Sequence, residues 1–175
     1  MSRMKRRDAA FEDAVRANED DLLRYFQRRL LNGADAAEAF GELLLTAWRV
    51  RRKLPAEPVQ ARMWLYGVAR NVLANSRRTL ARRSQAVQRL AAEMRAIIAV
   101  PPTDEASVEV RAAIEALAPE DAELVRLVYW DGLKSYEAAA ALGINPSTAR
   151  SRLSVVKRRL RLALSPTATA HLAGE

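Results

Sequence analysis

The chain of 175 residues has no cysteine and only one histidine, His171. Without thiols it can form neither a disulfide nor a thiolate zinc site, and cysteine catalysis is excluded. Its six glycines are scattered, and it contains no GxxxxGK[ST], GxGxxG, HExxH or GxSxG motif. The sequence therefore predicts a protein that is not an enzyme and that has no cofactor and no metal site.

Long hydrophobic runs are also missing. No apolar run approaches the roughly 18 residues that a membrane-spanning helix needs. The basic N-terminus MSRMKRR leads into the acidic stretch DAAFEDAVRANEDD and not into the apolar core of a signal peptide. We expect a cytoplasmic protein that does not insert into a membrane.

Positive charge is abundant: the chain has 29 Lys and Arg against 21 Asp and Glu, which gives a net charge of +8. A basic surplus of this kind favours a polyanionic partner. Half of the residues are hydrophobic, which is enough to build the core of one ordinary domain or of two small ones.

Apolar residues before residue 98 recur with helical spacing, and no alternating strand pattern competes with it. The stripes comprise Phe11, Val15, Leu22, Phe26 and Leu30; Phe40, Leu43, Leu44, Ala47 and Trp48; and Leu65, Val68 and Val72. The segment VPPTDEASVEV, residues 100–110, has two consecutive prolines and acids without bases, which is typical of a linker. The predicted fold class is all-α, with two small helical domains joined by a flexible linker. The predicted bounds are 8–98 for the first domain, 99–109 for the linker, 110–164 for the second domain and 165–175 for a tail.

The stretch SYEAAAALGINPSTARSRL, residues 135–153, predicts two helices separated by a tight turn. Alanine is the best helix former, and its small side chain lets another helix come close. Gly143 suits a left-handed C-terminal cap, Asn145 can cap the next helix, and Pro146 suits its first position. Helix, glycine turn and helix together predict a helix-turn-helix in the second domain.

The second helix of this motif has an apolar side and a basic side. At about 100° per residue, the basic side gathers Ser147, Arg150, Ser151, Ser154, Arg158 and Arg161. No Asp or Glu occurs from Ala138 to Gly174, so we expect these arginines to lack partners within the protein. The pattern favours a helix that enters a DNA major groove, and the alternative is a solvated basic helix.

A second basic helix follows the loop KLPAEPVQA, which has prolines at 55 and 58. In WLYGVARNVLANSRRTLARR, residues 64–83, we expect Trp64 in the core and one outer side that bears an aromatic residue among arginines. That side comprises Tyr66, Arg70, Arg77 and Arg78, with Asn71 and Asn75 near its edge. Such a surface favours a track for a nucleic-acid backbone with a pocket for an unstacked base, although solvated arginines are the alternative.

Two separated stretches together resemble one family. The run DAAEAFGELLLTAW followed by WLYGVARNVL resembles the second conserved region of bacterial sigma factors of the extracytoplasmic-function group. The run ALAPEDAELVRLVYWDGLKSYEAAAALGINPSTARSRL resembles their fourth region, and the resemblance covers residues 8–164. It implies a protein that binds core RNA polymerase, directs it to specific promoters and promotes DNA melting without hydrolysing ATP.

The resemblance also implies roles for individual residues. Asp35, Glu38 and Glu42 would dock on the clamp helices of the largest polymerase subunit. The loop at 54–62 and the helix at 64–78 would open the minus-ten element through Arg62, Tyr66, Arg70, Asn71, Asn75, Arg77 and Arg78. At the minus-thirty-five element, Ser147, Arg150, Ser151 and Ser154 would face bases, and Arg152, Lys157 and Arg158 would contact phosphates. Besides core RNA polymerase and promoter DNA, the family leads us to expect an anti-sigma factor as a partner.

Two other functions stay open from the residues alone. One is a free-standing helix-turn-helix regulator that binds DNA without polymerase, and the other is a helical module that binds only proteins. The acidic helix at residues 35–42 favours the sigma factor over the regulator, because a simple repressor has no need of it.

Overall fold

The computed structural model describes residues 3–91 and 105–164, with side chains for 6–83 and 109–164. The predicted all-α fold is confirmed, because these residues form helices and no strand. The chain divides into two compact units, Met1–Ala96 and Ile97–Glu175. Each unit has its own buried core.

The first unit contains α1 (Arg3–Arg16), α2 (Glu19–Gln27), α3 (Gly33–Arg49), a short 3-10 turn (Arg51–Lys53) and α4 (Pro58–Ala91). The second unit contains α5 (Glu105–Glu115), α6 (Pro119–Tyr129), α7 (Ser135–Leu142) and α8 (Pro146–Ala163).

Helix α3 lies in the middle of the first unit, in contact with both α2 and α4. Its buried positions are mostly small: Ala36, Ala39 and Ala47 accompany Leu43. The large side chains of this core come instead from α2 and α4, where the rings of Tyr25 and Tyr66 meet edge to face with their centroids 5.6 Å apart. Of the other large apolar residues in the α3 stripe, Phe40 and Leu44 are half-buried, and Trp48 stays 39% exposed.

Helix α1 is held to the end of α3 by an aromatic contact and an ion pair. The rings of Phe11 and Trp48 meet edge to face at 5.4 Å. The guanidinium of Arg51 lies 3.8 Å from the centroid of the Trp48 ring, and its Nε donates to Asp8 Oδ1 at 2.7 Å. These contacts explain how a largely polar helix stays on the unit.

Three element bounds differ from the sequence-based prediction. The first apolar stripe is divided between two helices at Ala17 and Asn18. Helix α4 begins at Pro58, because the Glu57 carboxylate accepts the Gln60 amide at 2.9 Å and proline suits a first helical position. The irregular loop is therefore only 54–57 and not 54–62. Residues 105–109, predicted as linker, belong to α5; residues 92–104 lie outside the described part of the chain.

The helix-turn-helix of the second unit is confirmed. Ala138, Ala139 and Ala141 of α7 are buried, and α7 contacts both α6 and α8. Gly143 has a φ of +68°, in the left-handed region that glycine reaches without strain. The Ile144 amide donates to the Ala139 carbonyl at 3.0 Å and the Gly143 amide to the Ala140 carbonyl at 3.2 Å, which together form a Schellman cap.

Replacing Gly143 by alanine should destabilise the second unit by about 1 to 2 kcal/mol, because an L-residue is strained at a positive φ. The matched control is Gly41→Ala in α3, where an added Cβ meets no atom within 4 Å and helix propensity should stabilise the first unit by up to about 1 kcal/mol. Urea unfolding followed by circular dichroism, fitted as two transitions, measures both changes. Equal effects of the two variants would contradict the role of the Gly143 conformation.

Candidate functional site

The N-cap and the buried residues of α8 determine which of its side chains face solvent. The Asn145 side chain accepts the Ser147 amide at 2.9 Å and the Ser147 hydroxyl at 2.8 Å, which fixes the start of the helix. Ala149, Leu153 and Val156 are buried and set the rotation of α8 about its axis. The side chains left in solvent include six of the predicted contact residues: Ser147, Arg150, Ser151, Ser154, Lys157 and Arg158.

Arg152 differs from these six because it is paired with an acid. Its Nη1 donates to Oε2 of Glu120, at the start of α6, over 2.7 Å. This hydrogen bond to the Glu120 carboxylate, assisted by its charge, raises the pKa of Arg152 above its ordinary value. The arginines expected to lack internal partners were those of the basic side, Arg150, Arg158 and Arg161, and Arg152 lies outside that set; its acid comes from a different helix. The expectation is wrong for Arg161, which interacts with another group of the protein.

The placement predicted for Tyr66 is also wrong. Its side chain is only 1% exposed and lies against Tyr25, so it belongs to the core and cannot receive an unstacked base. The physical reason is the width of the buried face of α4, which contacts α1, α2 and α3. Trp64, expected in the core, is only half-buried.

Arg62 contacts α2, and Arg77 contacts the residues that follow α2. An Nη of Arg62 is 3.3 Å from Asp21 Oδ2, and its guanidinium carbon is 5.7 Å from the centroid of the Tyr66 ring. Asp21 also accepts a hydrogen bond from Arg24 at 2.8 Å, and this bond raises the pKa of Arg24. Arg77 is exposed and donates to the Arg29 carbonyl at 3.5 Å. Arg62 is thus held by the protein, whereas most of the Arg77 side chain remains in solvent.

The other predicted residues of α4 are all exposed: Arg70, Asn71, Asn75 and Arg78. The structure does not gather them at one point, however. Arg78 bonds to the carbonyl of Ala74 within its own helix. Asn75 lines a groove between α3 and α4.

This groove, which we call the α3–α4 groove, has a volume of about 270 Å³ and contains all three of the acids predicted to bind polymerase. Its lining residues are Asp35, Glu38, Ala39, Glu42, Val72, Asn75, Ser76, Thr79, Leu80 and Arg83. Asp35 also has a structural role, because its amide donates to Asn32 Oδ1 and its carboxylate accepts from Asn32 Nδ2, both at 2.7 Å. Glu38 and Glu42 are exposed and give the groove an acidic rim on its α3 side, whereas the exposed Arg83 lies on its α4 side and the floor is apolar.

Sequence reasoning did not find two of these features. Val72 and Leu80 were not linked to the acids of α3, and Glu120 was not linked to Arg152. The acid-to-arginine pair spans 32 residues, so no local spacing signals it. The floor of the groove could have been found, because Val72 and Leu80 stand two turns apart on the side of α4 that continues its apolar stripe.

Among residues 6–83 and 109–164, no three His, Asp or Glu side chains converge as a metal site requires. None of the described helices is long and apolar enough to cross a membrane.

Comparison with known proteins places this geometry in a family. A family model described as Sigma-70 region 2 matches residues 14–83, and another described as Sigma-70, region 4 matches residues 107–164. The ECF RNA polymerase sigma factor SigL of Mycobacterium tuberculosis is 31% identical over 171 residues, which cover 94% of this chain and 96% of that protein. The chain belongs to the extracytoplasmic-function group of the sigma-70 family. As a sigma factor, it directs RNA polymerase to promoters in transcription initiation.

Two solved structures share the fold of this sigma factor. The sigma factor RpoE, crystallised with the anti-sigma factor NepR from Bartonella quintana, is 20% identical with a TM-score of 0.62 and covers 88% of this chain and 96% of that one. CnrH, in complex with the cytosolic domain of CnrY, is 18% identical with a TM-score of 0.61 and covers 90% of this chain and 88% of that one.

Burial of Tyr66 predicts a structural effect when it is truncated. Tyr66→Ala should destabilise the first unit by about 3 to 5 kcal/mol, as other large aromatic truncations in cores do. Tyr66→Phe keeps the ring against Tyr25 and should leave most of this stability. The matched surface control, Asn71→Ala, should change stability by less than about 0.5 kcal/mol. Urea unfolding measures all three, and a stable Tyr66→Ala protein that fails only in promoter opening would show that the tyrosine acts on DNA.

Proposed function

We propose that this sigma factor docks on core RNA polymerase through the acidic rim of the α3–α4 groove. The observation that carries this proposal is that Asp35, Glu38 and Glu42, from successive turns of α3, all line one groove. Carboxylates at the rim attract basic side chains, and the apolar floor of Val72 and Leu80 can bury the stems of those side chains. The expected partner surface is the pair of clamp helices on the largest polymerase subunit.

The groove changes the role proposed for Asn75. Asn75 lines the groove together with the three acids proposed to dock. We therefore propose Asn75 as a polymerase contact, while Arg70, Asn71, Arg77 and Arg78 remain the candidates for the minus-ten element. Arg62 can join them only if its contact with Asp21 opens. Tyr66 takes no part in DNA contact.

Helix α8 is proposed to read the minus-thirty-five element. Its outer face offers Arg150 for bidentate contact with guanine, together with the hydroxyls of Ser147, Ser151 and Ser154. Lys157 and Arg158 are proposed to contact phosphates, which hold a helix in register without reading sequence. Arg152 could contact a phosphate as well, although Glu120 already binds it.

The protein is proposed to act without enzymatic chemistry, in the cytoplasm. Melting would be driven by binding: the free energy of holding unstacked non-template bases would offset the cost of separating the strands. An anti-sigma factor is the further proposed partner, since two structures of similar fold are complexes of this type: RpoE with NepR, and CnrH with the cytosolic domain of CnrY.

Transcription from a library of random promoters by purified core polymerase, with and without the protein, tests the assigned function. Start sites that appear only with the protein and share two spaced upstream elements are expected. Duplex binding by the folded protein without any new start sites would instead indicate a free-standing regulator.

Reversing the two exposed acids of the groove should weaken docking. Glu38→Lys combined with Glu42→Lys should lower the affinity for core polymerase by about tenfold or more, because like charges would then face each other across the interface. Asp35 is left intact because it bonds to the helix cap at Asn32. The control is Asp13→Lys, an exposed charge reversal on α1. Fluorescence titration measures the affinities, and equal losses in control and test would remove the groove as docking site.

Arg150→Ala should weaken binding at one upstream base position by about 1 to 3 kcal/mol and relax specificity there, if its contact is bidentate. Lys157→Ala, the matched change on the same helix, should weaken binding to all sequences alike. The slope of log affinity against log salt should become shallower by about 0.9, the value for one lost phosphate contact. Transcription from the promoter library measures both patterns. A uniform loss with Arg150→Ala would mark that residue as a phosphate contact.

A further inference from the structure

Arg152 occupies an unusual position on α8. It lies beside the buried row of Ala149, Leu153 and Val156, on the flank that faces the start of α6. Its side chain is 38% exposed and that of Glu120 is 69% exposed, with 2.7 Å between Nη1 and Oε2. The pair is therefore formed at the surface, where solvent and other ions reach both groups.

The other basic residues proposed to meet DNA are different. Within the part of the chain that the structure describes, Arg150, Lys157 and Arg158 make no ion pair. A phosphate can approach these three without displacing an acid. At Arg152, in contrast, a phosphate must either displace Glu120 or lie beside a carboxylate of the same charge sign.

Exposed ion pairs are weak, so Glu120 cannot prevent a phosphate from binding Arg152. The pair nevertheless weakens the contact between Arg152 and the phosphate, because opening the pair costs free energy. The Glu120 carboxylate then remains near the phosphate, and the repulsion between the two negative charges weakens the contact further. The cost of opening the pair and the repulsion both lower the affinity of Arg152 for a phosphate.

We propose that Glu120 competes with the DNA backbone for Arg152 and thereby lowers the affinity of the second unit for duplex DNA. This inference rests on the proposed contact of α8 with DNA. Because phosphate contacts carry no sequence information, the reduction should be the same factor for every duplex. Glu120 thus limits binding at non-promoter DNA without any part in reading bases.

The test uses the full-length protein and a short fluorescent duplex of random sequence, with anisotropy measured over a series of salt concentrations. Glu120→Gln should bind about two- to fivefold more tightly, which corresponds to the usual strength of an exposed pair. The slope of log affinity against log salt should change by much less than the roughly 0.9 of one phosphate contact, because Arg152 contacts a phosphate in both proteins and no contact is added. A second duplex of unrelated sequence should show the same factor.

Two further variants isolate the pair. Asp121→Asn removes one charge from the same first turn of α6, where Asp121 attracts Arg152 without a hydrogen bond to it. It therefore controls for net charge, for the helix dipole and for the weaker attraction of a nearby acid, and its gain should be smaller than that of Glu120→Gln. In an Arg152→Ala background, Glu120→Gln should give no more than the small gain of Asp121→Asn. Thermal melting of each variant confirms that it is folded.

Each contrary outcome has a distinct meaning. If Arg152→Ala alone leaves DNA affinity unchanged, Arg152 is not a phosphate contact and the inference fails with that part of the proposed function. If Arg152→Ala weakens binding but Glu120→Gln does not strengthen it, the contact is right and the competition is wrong. Weaker binding by Glu120→Gln would show that the acid orients Arg152 toward DNA. An equal gain in affinity from Asp121→Asn would show that the gain comes from the loss of an acidic charge and not from the loss of the Arg152–Glu120 pair.

Discussion

Close approach of helices through alanine is the constraint on which both units depend. Ala36, Ala39 and Ala47 are the buried small residues of α3, and Ala138, Ala139 and Ala141 are those of α7. With such short side chains between them, the backbones themselves limit how near two helices can lie. The rotation of α8 follows from this contact, because its own buried residues begin with Ala149. The direction in which its arginines point is therefore decided inside the unit, by residues that never meet DNA.

Features determined within one turn of the chain could be predicted from sequence. Gly143, Asn145 and Pro146 adopt the predicted cap, N-cap and first-turn positions, because each depends only on backbone preferences of neighbouring residues. Tyr66 could not be placed in this way. It stands at the margin of the apolar stripe of α4, and whether a marginal residue is buried depends on how many helices pack there. Three helices do, so the buried face is wider than the stripe of Leu65, Val68 and Val72 indicates.

Electrostatic partners were the least predictable part of the site. The arginine-rich segment from Ala138 to Gly174 contains no Asp or Glu. Even so, Arg152 finds Glu120 from 32 residues away, and Arg62 finds Asp21 from 41 residues away. Helix packing, not spacing, brings these charges together. Basic residues that look equivalent in sequence thus divide into those already neutralised by the protein and those open to a polyanion, and only the second group presents its full charge to DNA.

The small size of the second unit explains why α8 serves two purposes at once. A domain of this length buries a smaller fraction of its surface than a large one and is only marginally stable. Ala149, Leu153 and Val156 must therefore remain in its core, and only the remaining sides of the helix are available for DNA. Core and contact residues alternate along the same two turns, so a change in packing at Leu153 rotates or displaces Arg150 and Ser154. Loss of promoter selectivity can then arise from a residue that touches no base, through the orientation of the helix alone.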